Sequence, residues 1–124
     1  MKLDEVREIL DAEVIVGRDS LQKEVQTAFG ADLMSDVLAF ARPGTILLTG
    51  LTNPQVIRTS EILDIAAIVI VRGKEPPAET IKLAEELKIP ILKTRYILFE
   101  TAGRLYMRGI VGCVDKVDAG KKRR

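Results

Sequence analysis

Short continuous apolar runs alternate along this chain with stretches in which apolar residues recur every three or four positions. Ile46-Leu47-Leu48 and Ala66-Ala67-Ile68-Val69-Ile70-Val71 are uninterrupted, as in strands buried on both faces. Ile89-Pro90-Ile91-Leu92 is a third such run, whose proline fits a strand start or an edge. Each run leads through a small turn into a helical pattern. After Thr49-Gly50, Asn53 is a good N-cap and Pro54 suits the first helical position, with Val56, Thr59 and Leu63 along one face. After Arg72-Gly73, Pro77 opens a helix with Ile81, Ala84 and Leu87 inward and Glu79, Lys82, Glu85, Glu86 and Lys88 in solvent. After Lys93-Thr94-Arg95, a last helix runs from about Ile97 to Met107. Three strand–turn–helix units in series predict one α/β domain with a largely parallel sheet, whose central strands are Ile46 to Thr49 and Ala67 to Val71.

The first third of the chain is patterned differently. Leu3, Val6, Ile9 and Leu10 give an amphipathic helix that should cover one sheet face, and Ala12 to Val16 reads as a strand. Glu24 to Phe29 alternates in part, with Val25 the clearest inward residue, which predicts a half-exposed strand near an edge. Leu33 to Ala41 is apolar around most of a helix, with Asp32 as its cap, so it must be covered on several sides by this chain or by a second copy. A homodimer is therefore expected, and Met34 is the natural residue to replace in testing it. From Gly109 the pattern weakens. The domain is placed at residues 1–114, followed by a basic tail, 115–124, that ends Lys121-Lys122-Arg123-Arg124 and is expected to be disordered.

Composition narrows the chemistry. The 124 residues are 47% hydrophobic and 30% charged, enough for one globular core, and the formal net charge of +1 gives no global field to recruit nucleic acid or an anionic membrane. No apolar run approaches the roughly 20 residues of a membrane span, no amino-terminal signal segment is evident, and the single Cys113 cannot form an internal disulfide. A cytoplasmic protein is the simplest reading. Histidine is absent, which removes the commonest general base and, with one cysteine, any Cys/His zinc set. Asp32 and Asp36, one helical turn apart, fit a cap and a surface carboxylate better than a metal site, and Cys113 reads as a small buried residue. No nucleophile–base pair is found and no cofactor is implied, so the expectation is a non-enzyme.

What the pattern does offer is a place. If the three strands are parallel, their turns lie at one end of the sheet, where open α/β folds bind ligands. Free N–H groups at the helix start after Thr49, Gly50, Thr52 and Asn53 suit a phosphate or carboxylate, although the same residues also serve as an ordinary turn and cap. Arg72 with Gly73, and Lys93 with Thr94, follow the next two strands and bring positive charge to the same rim, unless they are merely solvated. There is neither a Walker loop nor a Gly-x-Gly-x-x-Gly.

The order of these segments resembles the DRTGG domain, a small α/β module related to the amino-terminal domain of HPr kinase/phosphorylase. The stretches that carry the resemblance are Ala31 to Leu38, Arg42 to Gly50, Ile68 to Gly73, Leu83 to Leu92 and Thr94 to Ala102, together spanning about Glu24 to Leu105. No literal Asp-Arg-Thr-Gly-Gly occurs; the turn after the central strand reads Gly50-Leu51-Thr52-Asn53-Pro54. The resemblance implies a regulatory or assembly module, of the kind found in phosphotransacetylases and between the CBS domains of regulated pyrophosphatases, and here a stand-alone regulatory subunit. Within that frame three readings stand open: a sensor of a small anion such as a nucleotide or phosphorylated metabolite, a pure protein–protein subunit of a metabolic enzyme, and an enzyme using Asp, Lys or Thr.

Overall fold

The computed structural model describes residues 1–117; Lys121 to Arg124, the end of the expected basic tail, lie outside the described residues. Five helices and six strands follow in the order α1 (Leu3–Ile9), β1 (Glu13–Val16), β2 (Thr27–Gly30), α2 (Met34–Phe40), β3 (Ile46–Thr49), α3 (Pro54–Leu63), β4 (Ala67–Ile70), α4 (Ala78–Leu87), β5 (Ile91–Lys93), α5 (Leu98–Met107) and β6 (Val111–Gly112). One sheet has the spatial order β1-β5-β4-β3-β2-β6. All its neighbours run parallel except β1, which is antiparallel to β5. The apolar runs Ile46 to Thr49 and Ala67 to Ile70 are its two central strands, and every residue in them is buried.

The sheet is covered on both faces, and the period-2 alternation of side chains sorts the core in two. Ile46, Leu48, Val69 and Leu92 meet Leu3 and Val6 of α1, Leu10 at its C-cap, and Leu105 of α5. Leu47, Ile68, Ile70 and Ile91 point the other way, against Val37 of α2, Val56 and Ile57 of α3, and Ala84 of α4. Pro90 comes just before β5, where its carbonyl accepts from Ile68 N at 2.9 Å, so it marks a strand start and not an edge. Among the described residues, no helix is long and apolar enough to cross a membrane.

Several local expectations change. The strand read from Glu24 begins only at Thr27; Val25 is buried as expected, but its amide donates to Met1 O while Glu24 forms an isolated bridge with Lys2. β2 is half-exposed and near an edge as expected, and the edge itself is the two-residue β6, a strand too short for periodicity to reveal. Asp32 does not cap α2, whose N-cap is Leu33; its carboxylate is held elsewhere. Helix α2 packs only Val37 fully, Met34 is partly buried against the core, and the exposed apolar residues are Leu33 and Leu38. Cys113 is half-buried rather than buried.

The core assignment carries a stability consequence. Leu47→Ala empties a fully buried site in the central strand and should cost about 2–5 kcal/mol in urea denaturation, whereas Ile62→Ala, at a side chain 73% exposed on α3, should change stability by less than about 0.5 kcal/mol. Equal losses at the two positions would contradict the layering.

Candidate functional site

The register fixes the rim. Thr49 lies beside Ile70, and Ile70 beside Lys93, so β3, β4 and β5 end side by side and their turns start from one line. The turn after β4 leads to α4 on one face, while the turn after β5 leads to α5 on the other. Between such strands the connections diverge, which is where open α/β sheets leave a crevice. A cleft of about 550 Å³ occupies that position, lined by Arg72, Gly73, Lys93, Arg95, Asp11 and Glu13. Its floor is stitched across: Arg72 N donates to Tyr96 O and Gly73 N to Thr94 O, each at 2.8 Å.

The eight rim residues singled out from sequence divide in two. Thr49, Gly50, Thr52 and Asn53 do not line the cleft and are engaged within the fold. Gly50 N and Thr49 Oγ1 both donate to Asp32 Oδ1, at 2.7 and 3.0 Å; Asn53 Oδ1 accepts from Val56 N at 3.3 Å as the cap of α3; and Thr52 O accepts from Thr80 Oγ1 at 2.7 Å. Thr94 is buried, its hydroxyl donating to Leu10 O at 2.7 Å. Arg72, Gly73 and Lys93 do line the cleft. Lys93 is already engaged: its ammonium pairs with Glu75 and lies 3.5 Å from Glu13, and the hydrogen bond it donates to Glu75 is the main reason its pKa is raised. Arg72 and Arg95 have no carboxylate partner among the described residues.

Asp11, Glu13, Glu75 and Arg95 were not singled out. Arg95 was legible, since it follows Lys93 and Thr94 in the same turn. Asp11 and Glu13 were not, because only the antiparallel course of β1 brings Glu13 opposite Lys93, and nothing in a four-residue strand declares its direction. Among the described residues no cluster of acidic, cysteine or histidine side chains fits a metal ion.

A family model described as the DRTGG domain matches residues 5–107. The chain belongs to the DRTGG domain family. The match starts well before Glu24 and so takes in most of α1 and all of β1. Among solved structures, the CBS and DRTGG domains of the regulatory region of Clostridium perfringens pyrophosphatase, in complex with the activator diadenosine tetraphosphate, superpose with a TM-score of 0.74 at 19% identity. That alignment covers 94% of this chain and 51% of the other, so this chain spans about half the length of its structural relative. A search of curated proteins finds no match.

In this DRTGG domain Arg72 is the residue the turn holds at a conformational cost. It sits at φ +64°, in the left-handed region that glycine enters freely and a side-chain-bearing residue only at a cost, with Gly73 also at +64°. Its guanidinium lies across Gly50, where an added Cβ would stand 3.1 Å from Arg72 Cζ. Glycine at position 72 relieves the backbone and alanine does not. Arg72→Gly should therefore be more stable than Arg72→Ala by about 1 kcal/mol in matched urea melts, and the reverse order would show that the turn relaxes out of this conformation.

Proposed function

We propose that this DRTGG domain is a non-catalytic regulatory module that senses a small anion in the crevice between β4 and β5. The observation that carries the reading is the pair Arg72 and Arg95, exposed and unpaired among the described residues at a strand-end divergence, with Arg72 kept in a backbone conformation that costs of order 1–3 kcal/mol. Guanidinium groups so placed suit the forked acceptors of a phosphate or carboxylate. The likeness to a regulatory region that binds an activator nucleotide supports the same reading. Glu75 and Glu13 offset the charge of Lys93, so an incoming anion competes with them for that ammonium.

A second reading, a protein–protein subunit, draws on exposed apolar side chains. Two groups stand out, Leu33 and Leu38 at α2 and its N-cap, and Phe99, Tyr106 and Met107 on α5, while Ile62 is exposed on α3. We place a homodimer on one of these faces; both functions are compatible with one domain. Catalysis by Asp, Lys or Thr is the third and weakest reading, because Asp32, Thr49, Thr94 and Lys93 are each committed to partners within the fold.

Titration calorimetry against phosphorylated metabolites and nucleotides tests the sensor. Affinity for whichever anion binds should fall roughly ten- to a hundredfold in Arg72→Ala. It should fall also in Gly50→Ala, which displaces the guanidinium without removing it, while Asn53→Ala, altering only a cap, should leave it unchanged. Binding indifferent to Arg72 would place the ligand elsewhere.

Light scattering tests the dimer. The unaltered protein should be dimeric at high micromolar concentration and either Leu38→Glu or Phe99→Glu should shift it to monomer, the effective variant identifying the face; a monomer throughout would exclude the assembly.

A further inference from the structure

The charged cleft does not end at Arg95. A second cavity, of about 340 Å³, is lined by Leu10, Asp11, Thr94, Arg95 and Tyr96, and shares Asp11 and Arg95 with the first. The two are neighbouring compartments along one rim, and they differ in chemistry. The first carries Arg72, Lys93 and Arg95. The second shares Asp11 and Arg95 with it and adds Leu10, the ring of Tyr96 and a threonine whose hydroxyl already donates to Leu10 O, so charged side chains there stand beside an aromatic surface that an uncharged ring can meet. Tyr96 is held in place from three sides. Its amide donates to Thr94 Oγ1 at 3.3 Å, its carbonyl accepts from Arg72 N, and the Arg104 guanidinium stands 4.1 Å from its ring centroid. The hydrogen bond from Arg72 N to Tyr96 O links the charged compartment directly to the aromatic one.

We propose that the anion sensed here is a nucleotide, with its phosphates at Arg72 and Arg95 and its base against Tyr96 and Leu10. This rests on the rim reading above and adds to it the class of ligand and the place of its uncharged half. Arg95, common to both compartments, is the residue at which phosphate gives way to nucleoside. A bare polyphosphate or a short phosphorylated acid fills the first compartment and leaves the second to water. A nucleotide fills both, and base–aromatic stacking adds about 1–3 kcal/mol in comparable settings, or roughly five- to a hundredfold in affinity.

The test compares ATP with inorganic tripolyphosphate on the full chain, by calorimetry and by NMR of 13C-labelled tyrosine. The chain has two tyrosines, so Tyr106→Phe leaves the Tyr96 ring signals unambiguous without touching the rim. The expected result is that ATP binds at least about fivefold more tightly than tripolyphosphate, that Arg72→Ala weakens both, and that the Tyr96 ring resonances move with ATP and not with tripolyphosphate. Tyr96→Leu should bring ATP down to the affinity of tripolyphosphate; should that variant fail to fold, the ring signals of the folded Tyr106→Phe protein carry the result. Equal affinities that both depend on Arg72, or tighter ATP binding with still Tyr96 signals, would overturn the base site while leaving the anion site standing. Failure of both probes to bind, or binding unaffected by Arg72→Ala, would overturn the rim reading and this inference together.

Discussion

The structure depends on a reversal of direction after β5. From β2 to β5 the chain steps across the sheet one strand at a time, with α2, α3 and α4 on one face. To deliver β6 to the far side of β2 it must recross nearly the whole sheet, and α5 makes that return on the opposite face. Parallel strands need such crossovers, and the handedness rule ties the direction of travel to the face covered. The turns after β4 and β5 therefore part company, and their divergence creates the cleft. The site follows from the order of the strands before any side chain is specified.

Much of this was legible in the sequence. Continuous apolar runs identified β3, β4 and β5, since a strand covered on both faces has no polar side, and Asn53-Pro54 marked the start of α3 through capping chemistry that is local. What stayed hidden depends on distant partners. Asp32 looks like a cap because it precedes an apolar helix, yet Gly50 N and Thr49 Oγ1 compete successfully for its carboxylate from across the β2–β3 pair. Leu33 to Ala41 looks like a helix to be buried all round, but only Val37 and Ala41 are buried. At the rim, two of the three turns read from sequence line the cleft between β4 and β5, but not every side chain in them is free. Thr94 was read as a contact and is spent on Leu10 O, while Arg95, one residue on, faces the cleft.

That division has a physical logic. The small polar residues of the turns saturate backbone groups that burial would otherwise leave unpaired, which holds the loops in one arrangement. The long basic residues are left to meet solvent or ligand. A rim built this way is preorganised: its backbone is tied down before any contact is made, and Lys93 is held by Glu75 and Glu13.

The two edges of the sheet are poor templates for another strand. β6 offers two residues, and β1 breaks register between Val14 and Val16, so neither presents a long, regular row of open amides and carbonyls. A domain finished in this way is protected against uncontrolled growth by sheet extension, the route by which soluble α/β proteins polymerise when an edge is left straight. Its exposed apolar side chains Ile62, Phe99, Tyr106 and Met107 lie instead on helices, where side-chain shape and not an open backbone ladder decides what can pack.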